Sequence, residues 1–349
     1  MTLLERIGIA LPIIQAPMAG VSTPAMAASV SNAGALGSIG IGATDSDGAR
    51  AMIAETRQLT GRAFNVNVFV HATELADPAR ETAWLDDLAP LFSAYQASPP
   101  THLRTIYKSF ADDRAMQDLL VDLAPPVVSF HFGLPDAAVI SRLKDVGCVL
   151  LATATNLAEA RAIEVAGIDA IVAQGYEAGG HRGMFDPHAR DEQLGALALV
   201  RLLTDTTRLP VIAAGGLMDG RDIRAALDAG AVAAQLGTAF VLSPESSADA
   251  FYRAAMARAD TTVMTTAISG RPARCVVNRF TAWGAQTRLV APDYPRTYDA
   301  GKALNQAAKA AGEGGYGAQW SGTGVGRAEA LPAAEIVARL AAQLNANSD

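Results

Sequence analysis

Ten residues, Gln174-Gly175-Tyr176-Glu177-Ala178-Gly179-Gly180-His181-Arg182-Gly183, carry the densest chemistry in this 349-residue chain. They follow the apolar run 168–173 and combine four glycines, one histidine and two charges. Glycines straight after a buried strand let main-chain N–H groups approach a ligand closely. A histidine there, titrating near neutrality, suits proton transfer or hydrogen bonding to an anion. Standing alone, the segment reads more simply as a tight turn with a solvated histidine. Its surroundings decide between the two.

Two further glycine motifs accompany apolar runs: Gly215-Gly216 after 211–214, and Gly237-Thr238 within 233–240. Bare amides and a following helix start hold a phosphate without needing Arg or Lys. The polar residues Asn65, Asn67, His131 and Gln174 lie in or at the ends of other apolar runs, with Gln15-Ala16-Pro17-Met18-Ala19-Gly20 closing another. Together they suit a phosphorylated cofactor, and flavin mononucleotide (FMN) fits: Asn67 and Gln174 to hydrogen-bond an isoalloxazine edge, Met18 to pack against its face.

The elements that would position these groups are eight continuous apolar stretches, 13–18, 37–42, 64–70, 127–132, 148–152, 170–174, 211–214 and 233–240, alternating with helical patterns. Continuous apolar runs are expected of parallel strands covered on both faces. Gly34, Gly147, Gly167 and Gly230 sit between helix and strand as C-terminal stops. Asn156 with Glu159 makes a capping box, and Asp219 opens another helix. The pattern predicts a (β/α)8 TIM barrel, with a doubly wound open sheet as the alternative. In a barrel, the strand ends named above share one mouth.

Two stretches break the rhythm. An insertion after the third strand has several helical patterns, including Thr105-Ile106-Tyr107-Lys108, and a Gly-rich C-terminal extension ends in an amphipathic helix at 333–344. The expected organisation is a barrel over 1–242 with an inserted helical segment 74–124, a lid or second subdomain over 243–330, and a helix in 331–349 packing back on the barrel. Such excursions serve either as substrate lids or as a longer outer ring.

Composition narrows the function classes. Half the chain is hydrophobic, 18% is charged, and the net charge is −7 with a pI near 5.3. That argues against a nucleic-acid or anionic-membrane surface. Two cysteines, Cys148 and Cys275, make neither a disulfide framework nor a zinc site, and no metal is expected. No apolar span is long enough to cross a bilayer and no secretory leader is legible, so a soluble cytoplasmic protein is expected.

The segments Gln15 to Gly20, Gln174 to Gly183, Ala213 to Gly216 and Gln235 to Thr238 resemble the nitronate monooxygenase family, formerly 2-nitropropane dioxygenases, which are FMN-dependent barrels. The likeness covers nearly the whole chain. Its most specific part, Glu-Ala-Gly-Gly-His, is shared with the flavin-containing enoyl-ACP reductases. His131 in Ser-Phe-His-Phe-Gly, with Tyr107, Tyr294, Tyr298 and Lys302, resembles the pocket of the class I enzymes, and Tyr252 resembles a further pocket tyrosine. Tyr298 and Lys302, four apart, share a face if that segment is helical.

The resemblance implies FMN contacts at Met18, Asn67, Gln174, Gly179, Gly216, Gln235, Leu236, Gly237 and Thr238. It implies oxidation of an alkyl nitronate, such as propionate 3-nitronate, by O2 through a flavin semiquinone to a carbonyl compound and nitrite. Tyr107, Tyr252, Tyr294, Tyr298 and Lys302 would bind the anion. His181, then His131, would be the base for any neutral nitroalkane, whereas His71, His102 and His188 are expected on loops or the surface. Glu177 is either an orienter of His181 or, more simply, a solvated carboxylate. Expected partners are the nitronate and O2, with no nucleic acid or membrane, in a monomer or homodimer. The competing reading is an NAD(P)H-dependent flavin reductase of quinones or enoyl thioesters. Ser269-Gly270-Arg271-Pro272 is familiar from the family but has no assigned role.

Overall fold

The computed structural model describes residues 1–73 and 76–346. Residues 74 and 75 of the expected insertion and 347–349 of the expected C-terminal segment lie outside the described residues. Eight parallel strands, Ile13–Gln15, Gly37–Gly40, Phe64–Phe69, Val127–His131, Val149–Ala154, Ala170–Gln174, Val211–Ala214 and Ala233–Leu236, are here called first to eighth. The second to the eighth pair in chain order, and the eighth pairs with the first through Ile13 and Ala234. A parallel bridge from Ile14 to Leu36 joins first to second and closes the ring. The fold is therefore a (β/α)8 barrel rather than an open sheet. The first and eighth strands stop earlier than the apolar runs suggest. Pro17 has no N–H for the ladder, and Thr238–Phe240 coils into a 3-10 turn.

Local signals work largely as read. Gly34, Gly147, Gly167 and Gly230 all take positive φ, from 76° to 104°, which an L side chain resists. Asp219 and Asp222 form a reciprocal capping box. Asn156 makes only half of the expected one: it accepts from the Glu159 amide at 2.9 Å, while the Glu159 carboxylate turns to the amides of Thr155 (2.6 Å) and Phe185 (2.9 Å).

Strand alternation sorts the side chains. Val66, Val68, Val128, Phe130, Leu150, Ala152, Ile171, Ala173, Ala213 and Leu236 join the core between sheet and helices. Their neighbours point into the barrel, where Ile14, Leu36, Val149, Leu151, Val172 and Ile212 form a dry plug with Leu3 and Ile7 of the N-terminal helix Leu3–Ile7. Above the plug the inward positions become polar: Asn67, Ser129, His131, Thr153, Gln174 and Gln235. That layer is the floor of the site.

The two excursions meet. Helix Pro78–Ser93 of the insertion shares a second core with helices Arg279–Gly284 and Arg296–Ala310 of the tail, built on Trp84, Phe92, Phe280, Leu304 and Tyr316. Ion pairs Arg296–Glu81 (2.5 Å) and Arg80–Asp293 (3.1 Å) flank it. Each large apolar side chain buried there contributes about 1.5–3 kcal/mol. Partly exposed ion pairs contribute about 0–1 kcal/mol, so packing dominates the junction. The expected helix around Thr105-Lys108 is instead an extended loop, free to aim Tyr107 inward. After the tail, helix Ala333–Ala346 packs against helices Pro24–Asn32 and Gly220–Asp228. It occupies the slot of the barrel's eighth helix, so 243–332 is inserted between the eighth strand and its helix. Glu245 fastens the return, accepting from the Ala333 amide at 3.0 Å. No helix among the described residues is long and apolar enough to cross a membrane.

Candidate active site

A cavity opens at the C-terminal mouth of the barrel, holding about 1340 Å³ of empty space, open solvent at its mouth included. One wall is main chain. Gly215, Gly216, Gly237 and Thr238 line it, and their amides donate to no group among the described residues. Gly216 has φ 74°, and a Cβ there would lie 2.9 Å from the Glu177 Cβ. A Cβ on Gly179 would meet the Gly322 amide nitrogen at 2.5 Å. The tail seals this wall, with Gly322 N–H donating to Thr238 Oγ1 at 2.9 Å and Thr323 N–H to Glu177 O at 3.0 Å.

The floor supplies oriented amides. Asn67 donates through Nδ2 to Ser129 O (3.1 Å) and Oγ (2.9 Å), leaving Oδ1 without a partner and open to the cavity. The Gln235 amide makes no bond within the described chain. Met18 also lines the space. Gln174 lines the cavity and is also bonded internally: Nε2 donates to His181 O at 3.0 Å, and Oε1 accepts from Gly183 N–H at 2.7 Å. Its amide organises the histidine loop.

The opposite material is aromatic. Tyr107, Tyr252, Tyr294, Tyr298, Trp320, Phe69, His131 and His181 all line the cavity. Tyr294 packs edge-on to His181 with ring centroids 5.4 Å apart, and Trp320 lies 5.1 Å from it. The tyrosine hydroxyls are unequal. Tyr252 donates to Trp320 O and Tyr298 bonds the Trp320 indole, whereas Tyr294 OH is sealed and unpaired among the described residues. Burial pushes Tyr107 up to about 12.

Both histidines are present, in different roles. A carbonyl only accepts, so the 3.2 Å contact from His131 Nε2 to His181 O places the ring hydrogen on Nε2, and Nδ1 then accepts from Thr153 Oγ1 at 3.0 Å. Both nitrogens are therefore engaged, which leaves His131 no free lone pair for the expected role of second base. His181 bonds through Nε2 to Ser269 Oγ at 2.9 Å. Its Nδ1 has no partner among the described residues and opens on the cavity. Desolvation lowers His181 to about 3, helped by the nearby His131 and Arg271, and lowers His131 to about 4. Both are neutral at physiological pH, which corrects the expectation of a histidine poised near neutrality.

Other expectations need correction too. Leu236 is 1% exposed and packs toward the helices, because Gln235 beside it takes the inward position. Lys302 is exposed and does not line the cavity. Helix Arg296–Ala310 does put it on one face with Tyr298, and its ammonium sits over the rings of Tyr107 (4.9 Å) and Tyr298 (5.4 Å). Glu177 is half-buried and bonds the chain rather than His181; it accepts from the Ala196 amide at 2.9 Å, at the start of helix Ala196–Thr206. His71 is buried, 5.0 Å from the Tyr294 ring centroid, and lowered to about 4 by desolvation first. The tail covers it, which local sequence could not indicate. His102 and His188 are exposed as expected.

Two further features shape the site without a local sequence mark of their role. Phe132 holds φ 79°, unusual for a bulky residue, and its ring meets His131, His181, Tyr294 and the Arg271 guanidinium (4.2 Å). The signal was Gly133 following it. The Ser269–Pro272 turn packs against the histidine: Ser269 bonds His181, Arg271 backs the cluster, and Pro272 O accepts from Arg182 N–H at 2.8 Å.

The model of the nitronate monooxygenase family matches residues 1–343. The chain is similar to the nitronate monooxygenase of Paraburkholderia phytofirmans, 59% identical over 345 residues covering 98% of this chain and 94% of the relative. It is 53% identical to that of Pseudomonas aeruginosa, covering 97% of each. Among solved structures it matches the nitroalkane oxidase from Streptomyces ansochromogenes at a TM-score of 0.89 and 40% identity, over 99% of this chain and 98% of that one. It matches FabK from Thermotoga maritima at 0.74 and 29%, over 99% and 96%.

Proposed function

This chain belongs to the nitronate monooxygenase family, and on that premise we propose that it oxidises small alkyl nitronates with O2 over bound FMN, giving a carbonyl compound and nitrite. The observation that carries this reading is one cavity joining four undonated main-chain amides to the enclosed, neutral imidazole of His181. The residues present fit the flavin. The amides of Gly215, Gly216, Gly237 and Thr238 suit a phosphate. The open Asn67 Oδ1 and the uncommitted Gln235 amide suit a ring edge that both donates and accepts. Gly179 and Gly216 admit no Cβ, and Met18 offers a polarisable contact. When bound, the flavin supplies the electron acceptor that these side chains lack.

The chain's own residues then bind and orient. Phe69, Tyr294, Tyr298 and Trp320 exclude water, which strengthens any polar contact made inside. His181 meets the nitronate at Nδ1, with its main chain held by Gln174 and His131. Its low basicity favours a substrate that arrives already as the anion, since a weak base withdraws a carbon-bound proton poorly. Lys302 at the rim adds positive potential along the approach.

Purified protein should be yellow, release FMN on heating, and liberate nitrite from an alkyl nitronate in air faster than from the parent nitroalkane. A colourless protein that takes up no FMN, or a flavoprotein without nitrite release, would overturn the reading. Rapid anaerobic bleaching by NADH or NADPH, with turnover of a quinone or enoyl thioester, would establish the reductase alternative instead.

A further inference from the structure

We propose that Ser269 is a positioning residue that holds His181 in the tautomer presenting Nδ1–H to the cavity, making it a neutral hydrogen-bond donor to an anionic substrate rather than a base. The inference rests on the nitronate reading and concerns the atom that touches the substrate. Ser269 is fully buried. Its hydroxyl has one hydrogen and two acceptors within reach: His181 Nε2 at 2.9 Å and Arg271 O at 3.3 Å. The shorter contact falls near the usual O–H donor distance and the longer one beyond it. A hydroxyl donating to Nε2 needs a lone pair there, and a neutral imidazole then carries its hydrogen on Nδ1. Nδ1 is the nitrogen that opens on the cavity.

The ring stays neutral because it is enclosed beside the Arg271 charge. The opposite tautomer would aim a lone pair at an anion, which repels it. The distance between serine and ring is set by main chain rather than by rotamer choice. His181 pairs with Ala273 in a short antiparallel ladder, Arg182 N–H donates to Pro272 O at 2.8 Å, and Gly270 N–H donates to Thr266 O at 2.8 Å. Gly270 has φ 88°, and a Cβ there would lie 2.3 Å from Pro292 O, so the turn has one backbone path. From the other side, Gln174 and His131 hold the His181 carbonyl. The Ser-Gly-Arg-Pro turn thus gains a role: it carries the hydroxyl that selects the tautomer.

The test is ¹⁵N NMR of histidine-labelled, FMN-loaded protein, with His181 assigned by its loss in His181→Gln. The expected result is a pyrrole-type Nδ1 and a pyridine-type Nε2, unchanged between pH 6 and 8. A pyrrole-type Nε2, or an imidazolium, overturns the proposal. Kinetically, Ser269→Ala should raise KM for the nitronate about 10- to 100-fold, the range of a hydrogen bond to a charged group, and more than it lowers kcat. Ser269→Thr, keeping the hydroxyl, should restore most of it. An unchanged KM in Ser269→Ala with native FMN content also overturns the assignment. If no nitronate is turned over at all, the functional reading fails, while the NMR spectrum still decides the tautomer.

Discussion

The two walls of the cavity are made of opposite materials. The wall at strands seven and eight is bare main chain, while the facing wall is side chain: histidines and aromatics drawn from the fourth strand, the sixth-strand loop, the insertion and the tail. The first binds through groups every residue has, so it tolerates changes of side-chain chemistry but not added volume. The second depends on enclosure, which makes it chemically specific and sensitive to protonation. A (β/α)8 barrel supplies the first from its own loops; the second needs the excursions.

Acid should separate the walls most strongly. Burial lowers His71 to about 4, His131 to about 4 and His181 to about 3. A histidine with a lowered folded pKa contributes stability that is complete above its free value, about 6.5, and is lost as pH falls through the window below it. The unfolded chain then binds protons the folded one refuses. With three such groups the loss approaches about 4 kcal/mol per pH unit inside that window, large beside a total stability of about 5–15 kcal/mol. Chemical denaturation should therefore show a steep stability loss between pH 6.5 and 4, shallower in His71→Phe. A flat profile would mean that the aromatic wall is wet.

Gly179→Ala tests the main-chain wall. The new Cβ meets main chain of Ser321 and Gly322 at 2.5 Å, which cannot swing aside as a side-chain tip would. We expect about 1–3 kcal/mol of destabilisation, typical of overpacking, and FMN affinity at least about tenfold weaker. Native flavin content would show that the tail does not press on this loop. The smallest effect is at the rim. Lys302 is exposed over Tyr107 and Tyr298, and exposed cation–π contacts are worth about 0.5–1 kcal/mol. Lys302→Met should change nitronate kcat/KM less than about fivefold, with the difference fading as salt rises. A hundredfold loss would place the ammonium inside the cavity during turnover.

Much of the main-chain wall was legible because glycine declares a backbone requirement in the sequence itself. Gly34, Gly147, Gly167 and Gly230 mark helix ends and Gly215-Gly216 a strand end, each at positive φ. Alternation would have separated Gln235 from Leu236, since neighbours on a strand face opposite sides. The aromatic wall was legible by resemblance in its tyrosines and His181, but not in its internal wiring. Nothing near His71 in sequence says that Tyr294 will cover it, and nothing near Glu177 names the Ala196 amide as its partner. These contacts span hundreds or tens of residues and exist only once the excursions pack.

The sequence alone therefore determined the eight strand–helix units, the glycine stops and cradle, and the identity of the histidine on the sixth-strand loop, because each rests on local sterics and periodicity. The tertiary structure decided that the Gln174 and His131 side chains both hold the His181 carbonyl. It also decided that Lys302 stays at the rim and that the Ser269 hydroxyl lies 2.9 Å from the His181 ring. A hydrogen-bond partner is chosen by which groups remain within about 3 Å after burial, and only the closed fold settles that competition.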